Sequence, residues 1–313
     1  MKKVHIKDAD FICVADCTAT PKITLGPFIY AFGKETKQPD IVSLGKEVTL
    51  AEGDKCKIRF AVSGEGYRRR IYVHKWISEM EKEDMGAVKH SPLELMQDLE
   101  VALLRAGDWC LVMKGGYNHE SHNHNDVGSF ALYFDGAPVL CDIGIGTYTK
   151  KTFSPQRYEI PWTRSLTHNI PEINGAEQSF GREYTADGFT VTEGRAEVSF
   201  AKAYPDKAEI VSLKREYALC DAGVEFTDKF EFSGDKKRVS EALVTTLDVK
   251  IAENGIILGG KYLVTYSHGK PKTEFISFEG DDKLIKPWKC EGVTRIVIET
   301  DGEEKITFKI TRK

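Results

Sequence analysis

Residues Tyr117 to Asp142 read YNHESHNHNDVGSFALYFDGAPVLCD. Two apolar runs flank Asp135-Gly136, among the stronger short-range signals for a β-hairpin. If the loop has three residues and closes as a G1 bulge, Asp142 falls opposite Gly128. The stretch before the hairpin holds His119, His122 and His124, three of the eight histidines, and then Asp126. In an extended segment His122 and His124 share a face, which Asp126 continues. Histidine with carboxylate is a ligand set for zinc. The alternative from these residues alone is a polar loop of hydrogen-bonded histidines. On the three-residue loop, Asp142 lies on the face of His124 but four strand positions away, about 13 Å at ~3.3 Å per residue. One ion could be shared only if the chain bends near Val127-Gly128, where glycine permits it. A two-residue loop puts the two side chains on opposite faces and requires a bulge. A straight strand over Asn125–Phe134 would exclude a shared site.

Outward from this stretch the signal stays β. Glu100–Arg105, an Ala-Gly-Asp turn and Trp109–Lys114 predict another hairpin. Further strands are expected at Phe189–Thr192, Arg195–Phe200, Glu209–Leu213, Glu216–Leu219, Val224–Phe232 and Val239–Thr246. Ile256–Leu258, Lys261–Tyr266, Thr273–Phe278, Val293–Glu299 and Lys305–Ile310 complete the series. Turn residues such as Asp221-Ala-Gly223 and Asp301-Gly302 separate them. Many short strands with little helix between them predict a mainly β chain, a sandwich or barrel. Gly144–Ser165 interrupts the series, aromatic and basic and too long for a simple turn; loops of that length are often functional.

Residues 1–90 differ. Phe11–Cys17 is a short apolar run. Beyond it, Pro21, Pro27 and Pro39 break the chain into loop and short elements. Lys57–Ser63 alternates like a strand. Gly66–Glu83 carries Ile71, Val73, Trp76, Ile77 and Met80 at the spacing of an amphipathic helix. The stretch reads as the end of a preceding helical region plus a connector, giving a division into 1–90 and 91–313.

The chain has 313 residues, 41% hydrophobic and 29% charged, with a net charge of −4. That balance points to no nucleic-acid partner. No window approaches the ~20 apolar residues of a membrane span. Seven cysteines, an odd and scattered set, read as mostly reduced thiols. The start, MKKVHIKDAD, has no apolar run of a signal peptide. A cytoplasmic location is therefore expected, or a periplasmic or secreted one if the chain is part of a longer protein.

SHNHNDVGSFALYFDGAPVLCDIGIGTY, followed by RSLTHNIPEINGAEQ, resembles the heparinase II/III-like proteins, polysaccharide lyases of heparin, heparan sulfate, alginate and related uronic-acid polymers. The matching motifs run from Leu99 to Gln178. The resemblance implies a large antiparallel β-sandwich, with an N-terminal (α/α) toroid in the full-length protein and an acidic polysaccharide in the groove between them. It implies a zinc ion held by His124, Asp142 and His168, with His122 at the catalytic groove. Asp126 and Asn169 are then expected to support the ligands. In the long loop, Tyr148, Arg157, Tyr158 and Arg164 could bind substrate, since aromatics stack on sugar rings and arginines grip carboxylates or sulfates. His119 is read as a surface residue, Asn174 and Gln178 as polar rim, and His5, His74, His90 and His268 as structural or solvated. The implied reaction is β-elimination at a uronate, with further catalytic residues expected from the toroid. The other reading is a non-catalytic, carbohydrate-binding or structural sandwich that keeps the metal site.

Overall fold

The computed structural model describes residues 1–18, 20, 25–53, 67–83 and 86–313. They fall into two units. One comprises Met1–Ile12 and Pro21–Ser91, the other Cys13–Thr20 and Pro92–Lys313. The sequence division at 90/91 left Cys13–Thr20 in the first domain. The structure gives it to the second, where Thr18 bridges Ile145 and the Ile145 N–H donates to the Cys17 carbonyl.

The first unit pairs β1 (His5–Lys7) with β2 (Asp10–Phe11) and adds helices α1 (Gly26–Glu35), α2 (Pro39–Glu52) and α3 (Tyr67–Lys82). Pro27 and Pro39 open α1 and α2 instead of breaking the chain, because the first helical positions need no N–H donor. The two helices pack closely: a Cβ at Gly45 would stand 2.2 Å from the Tyr30 backbone nitrogen. In α3, Val73, Ile77 and Met80 are buried and Ile71 is exposed. The expected strand Lys57–Ser63 lies outside the described residues.

In the second unit every paired strand runs antiparallel to its neighbours. Its first sheet runs β3 (Leu93–Met96), β4 (Val101–Ala106), β5 (Trp109–Lys114), β6 (Phe130–Phe134) and β7 (Ala137–Leu140) in sequence order. Next in the chain come β8 (Glu172–Ile173), β9 (Gly188–Thr192), β10 (Arg195–Ser199), β11 (Ile210–Cys220), β12 (Gly223–Phe232) and β13 (Arg238–Thr245). The last are β14 (Val249–Ala252), β15 (Gly255–Leu258), β16 (Tyr262–Tyr266), β17 (Lys270–Ser277), helix α4 (Asp282–Trp288), β18 (Gly292–Asp301) and β19 (Lys305–Arg312). An eight-stranded sheet has the order β14-β15-β16-β19-β12-β11-β10-β9, and a four-stranded sheet the order β17-β18-β13-β8.

One core joins the three sheets. Leu111 and Leu132 of the first, Leu213, Phe226 and Phe308 of the eight-stranded, and Leu243 and Ile296 of the four-stranded sheet belong to it. The expected sandwich is what forms. β11 and β19 bury every second residue, the period of a strand with one solvated face. Side chains such as Phe226 and Phe308, stacked at 4.6 Å, each contribute about 1.5–3 kcal/mol through burial.

Glu209–Leu213 and Glu216–Leu219, expected as two strands, form the single β11. Lys214-Arg215 looks like a break in sequence, yet Arg215 faces inward with no exposed area. Its guanidinium grips Asp228 through Nε–Oδ1 at 2.6 Å and Nη2–Oδ2 at 2.5 Å, and Nη2 also reaches Glu241 at 3.2 Å. The hairpin at Asp135-Gly136 has a two-residue loop, not three: Phe134 pairs with Ala137, and both loop residues have positive φ. The register then slips between Leu132 and Tyr133. This is the bulge that a two-residue loop requires if Asp142 is to turn toward His124.

Candidate functional site

Between β5 and β6 the chain forms turns and irregular backbone instead of a strand. It bends at Gly128, whose φ is 82°. Buried donors and acceptors hold the bend. Gln178 accepts from the Val127 N–H and donates to its carbonyl at 2.7 Å, and Asn118 donates to Gln178. Gln178 is thus a buried clamp and not polar rim. Arg215 Nη1 donates to the carbonyls of Gly128 and Asn169, at 3.2 and 2.6 Å. Asn169 donates to the carbonyls of Phe130 and Cys141 and accepts from the Val244 N–H.

These constraints bring His124, Asp142 and His168 together. Each is buried and offers one ligand atom, and the three atoms lie within 4.8 Å of one another; it is the one such group among the described residues. The two rings stand 5.3 Å apart. His124 Nδ1 and both ring nitrogens of His168 are buried without a hydrogen-bond partner. Orphaned buried nitrogens are costly; a divalent ion would take His124 Nδ1 and one nitrogen of His168, whose Nδ1 stands 3.4 Å from Asp142 Oδ2. Two imidazoles and a carboxylate suit zinc, which keeps a fourth position for another ligand. The residues therefore fit the ion that the sequence reading implied. Burial lowers the pKa of His124, which favours the neutral, ligating imidazole. Burial alone would raise Asp142 and lower His168, but their mutual attraction reverses both: Asp142 is held low and His168 high.

The shared face expected for His122 and His124 is not formed. His122 sits at φ 60° with its side chain 69% exposed, while the His124 side chain is fully buried. The left-handed backbone at His122 leaves one ring exposed and the other buried, and such backbone is typical of functional sites. What unites them is Asp16, a residue the sequence reading did not single out. Asp16 Oδ2 lies 3.1 Å from His122 Nδ1 and 3.1 Å from Tyr148 Oη. Its Oδ1 lies 3.2 Å from His124 Nε2 and 2.5 Å from Arg157 Nη2. Burial opposes its charge, but the bonds from His124 and Arg157 hold its carboxyl well below the usual carboxylate range. One apolar run, FICVADC, carried the residue past notice, with no motif to mark it.

Arg157 also donates to the Asn123 carbonyl, and Tyr158 donates to its side-chain oxygen. Tyr158 stacks on Phe180, which contacts His119 on its other side. His119 is exposed, as read from sequence. Arg164 stands apart, paired with Glu177. Asp126 is paired with buried Lys114 at 2.5 Å, and no hydrogen bond joins it to the three-residue cluster among the described residues.

The profile of the family described as heparinase II/III-like, C-terminal, matches residues 89–246, just over half of the chain. The chain belongs to the heparinase II/III-like family. Among solved structures, a heparinase III is similar with a TM-score of 0.64 at 13% identity, covering 99% of this chain and 46% of its own. A second heparinase III gives 0.66 at 12% identity, covering 100% and 45%. The heparan sulfate lyase HepC from Pedobacter heparinus gives 0.58 at 11% identity, covering 99% and 54%. This heparinase-like chain thus spans about half the length of those lyases. No curated protein matches it in sequence.

Proposed function

We propose that this chain is the zinc-bearing part of a polysaccharide lyase that cleaves a uronic-acid polymer by β-elimination, and that it forms one wall of the active-site groove. The observation that carries the reading is the cluster of His124, Asp142 and His168 set directly behind the exposed His122. The other wall would come from the helical toroid of a full-length protein, with further catalytic groups. Bound zinc would supply a fixed positive charge that cross-links the loop to β7 and the His168 segment.

The chain's own residues account for the proton chemistry. A carboxylate can only accept hydrogen bonds, so His122 carries its proton on Nδ1, toward Asp16. Its Nε2 lone pair then faces the groove, where it can take the C5 proton of the uronate. Arg157 and Tyr148 stand beside it on the same carboxylate. They present positive charge and a phenol to a substrate whose carboxylate gains charge as the C5 proton leaves. The electron pair left at C5 then forms a C4=C5 double bond as the C4–O bond breaks, and the departing oxygen takes a proton from a general acid, which leaves an unsaturated uronate and a free hydroxyl on the other fragment.

Two measurements test the reading. Elemental analysis of the purified chain should find about one zinc per chain; none would overturn the metal assignment. In a full-length lyase containing the chain, His122→Ala should cut the ultraviolet-absorbing unsaturated product by about 10²-fold or more and leave zinc content unchanged. Unchanged turnover would favour a carbohydrate-binding or structural role instead.

A further inference from the structure

Asp16 belongs to the short segment Cys13–Thr20 that packs with the β unit. Its side chain is 4% exposed, yet four donors from two separate segments converge on it: His122 and His124 of the turn, and Tyr148 and Arg157 of the long loop. Two oxygens offer about four lone-pair positions, so the carboxylate is saturated. A fifth contact fixes the segment itself, because the Asp16 backbone N–H donates to the His122 carbonyl at 3.1 Å. Arg157, which also holds the Asn123 carbonyl, closes a ring of contacts around the His-x-His turn.

The consequence is a choice of tautomer at two histidines. Since Asp16 only accepts, His124 donates from Nε2 and leaves Nδ1 bare, and Nδ1 is the buried nitrogen with no partner. His122 donates from Nδ1 and leaves Nε2 bare on the exposed side. A ligating histidine is commonly oriented by a carboxylate on its far nitrogen, and loss of that partner weakens metal binding about 10–100-fold. Here the same carboxylate also holds the groove histidine.

We propose that Asp16 is a positioning residue that sets His124 Nδ1 toward the ion and His122 Nε2 toward the groove with a single carboxylate. Metal binding and groove geometry are thereby coupled. The inference rests on the zinc reading for its first half; the tautomers can be read without metal.

The test uses the purified chain with zinc alone as the probe. Nitrogen-15 NMR of labelled histidines in the metal-free wild type should show His124 protonated on Nε2 and His122 on Nδ1. The reverse tautomer at either ring overturns the proposal, and this holds even if no Asp16 variant folds. Zinc affinity is then measured by competition with a chromophoric chelator. Asp16→Asn keeps the volume but exchanges an acceptor for a donor. One acceptor oxygen remains, so it should bind zinc about 10–100-fold more weakly and lose the tautomer signature at the histidine that meets its amide nitrogen, whereas Arg157→Ala should keep both signatures. Wild-type affinity in Asp16→Asn, with both signatures intact, overturns the coupling. A wild type that takes up no zinc but shows the stated tautomers defeats the metal reading and leaves the positioning role supported.

Discussion

At the residue scale the proposed site separates groups that would hold a metal from groups that would react. His124 Nδ1 and the His168 ring nitrogens are buried without a hydrogen-bond partner, so His124→Ala or His168→Ala should lower bound zinc from about one per chain to near none by elemental analysis. His122→Ala should not, because its ring is exposed and on the far side of Asp16. That His124, Asp142 and His168 would come together was legible in the sequence, since His-x-His, Asp142 and His168-Asn169 follow one another within about fifty residues. The difference in exposure between the two histidines was not, because it goes with a left-handed backbone at His122, which residue spacing does not announce. Asp16 could not be found either: it lies 106 positions before His122, in a run that reads only as apolar.

At the element scale the hairpin β6–β7 and the bend before it do most of the positioning. Strands were legible where apolar residues alternate between turn residues, as at β4–β5 and β12. They were not where a charge faces inward, as at Arg215, or where an edge strand such as β14 is largely solvated. The bend makes a sharp prediction. A Cβ at Gly128 would meet the Phe200 ring at 2.7 Å, at a φ of 82°. Gly128→Ala should therefore destabilise the chain by about 1–3 kcal/mol, read as a lower urea midpoint, and should weaken zinc binding with it. Gly136→Ala places a side chain at a φ of 84° in the two-residue loop and should cost about 1 kcal/mol, with zinc affinity kept.

At the scale of the whole molecule, stability and site share the buried Arg215. One guanidinium faces two carboxylates, Asp228 and Glu241, and burial together with the neighbouring Asp228 raises Glu241 well above its ordinary pKa. Between its unfolded and folded values the native protein therefore holds a proton that the unfolded chain has released. Stability must then fall as pH rises through that window, starting near the ordinary glutamate value of about 4.3. Glu241→Gln mimics the protonated acid, so its melting temperature relative to wild type should rise from about pH 5 to about pH 8; a constant difference would contradict this. Arg215→Met leaves the pair uncompensated and should cost about 3–5 kcal/mol, measured by chemical denaturation. The Asp16 segment adds a consequence for the order of events in folding. Asp16 is synthesised before its partners, which lie 106 to 141 residues later in the chain. Such a long closure is entropically slow to begin, so the segment can dock only after the turn between β5 and β6 and the loop beyond β7 have taken shape. Partly folded chains should then pass through a stage in which His124, Asp142 and His168 are already close together while His122 is still unpaired, and the Asp16 segment should dock behind the histidines last.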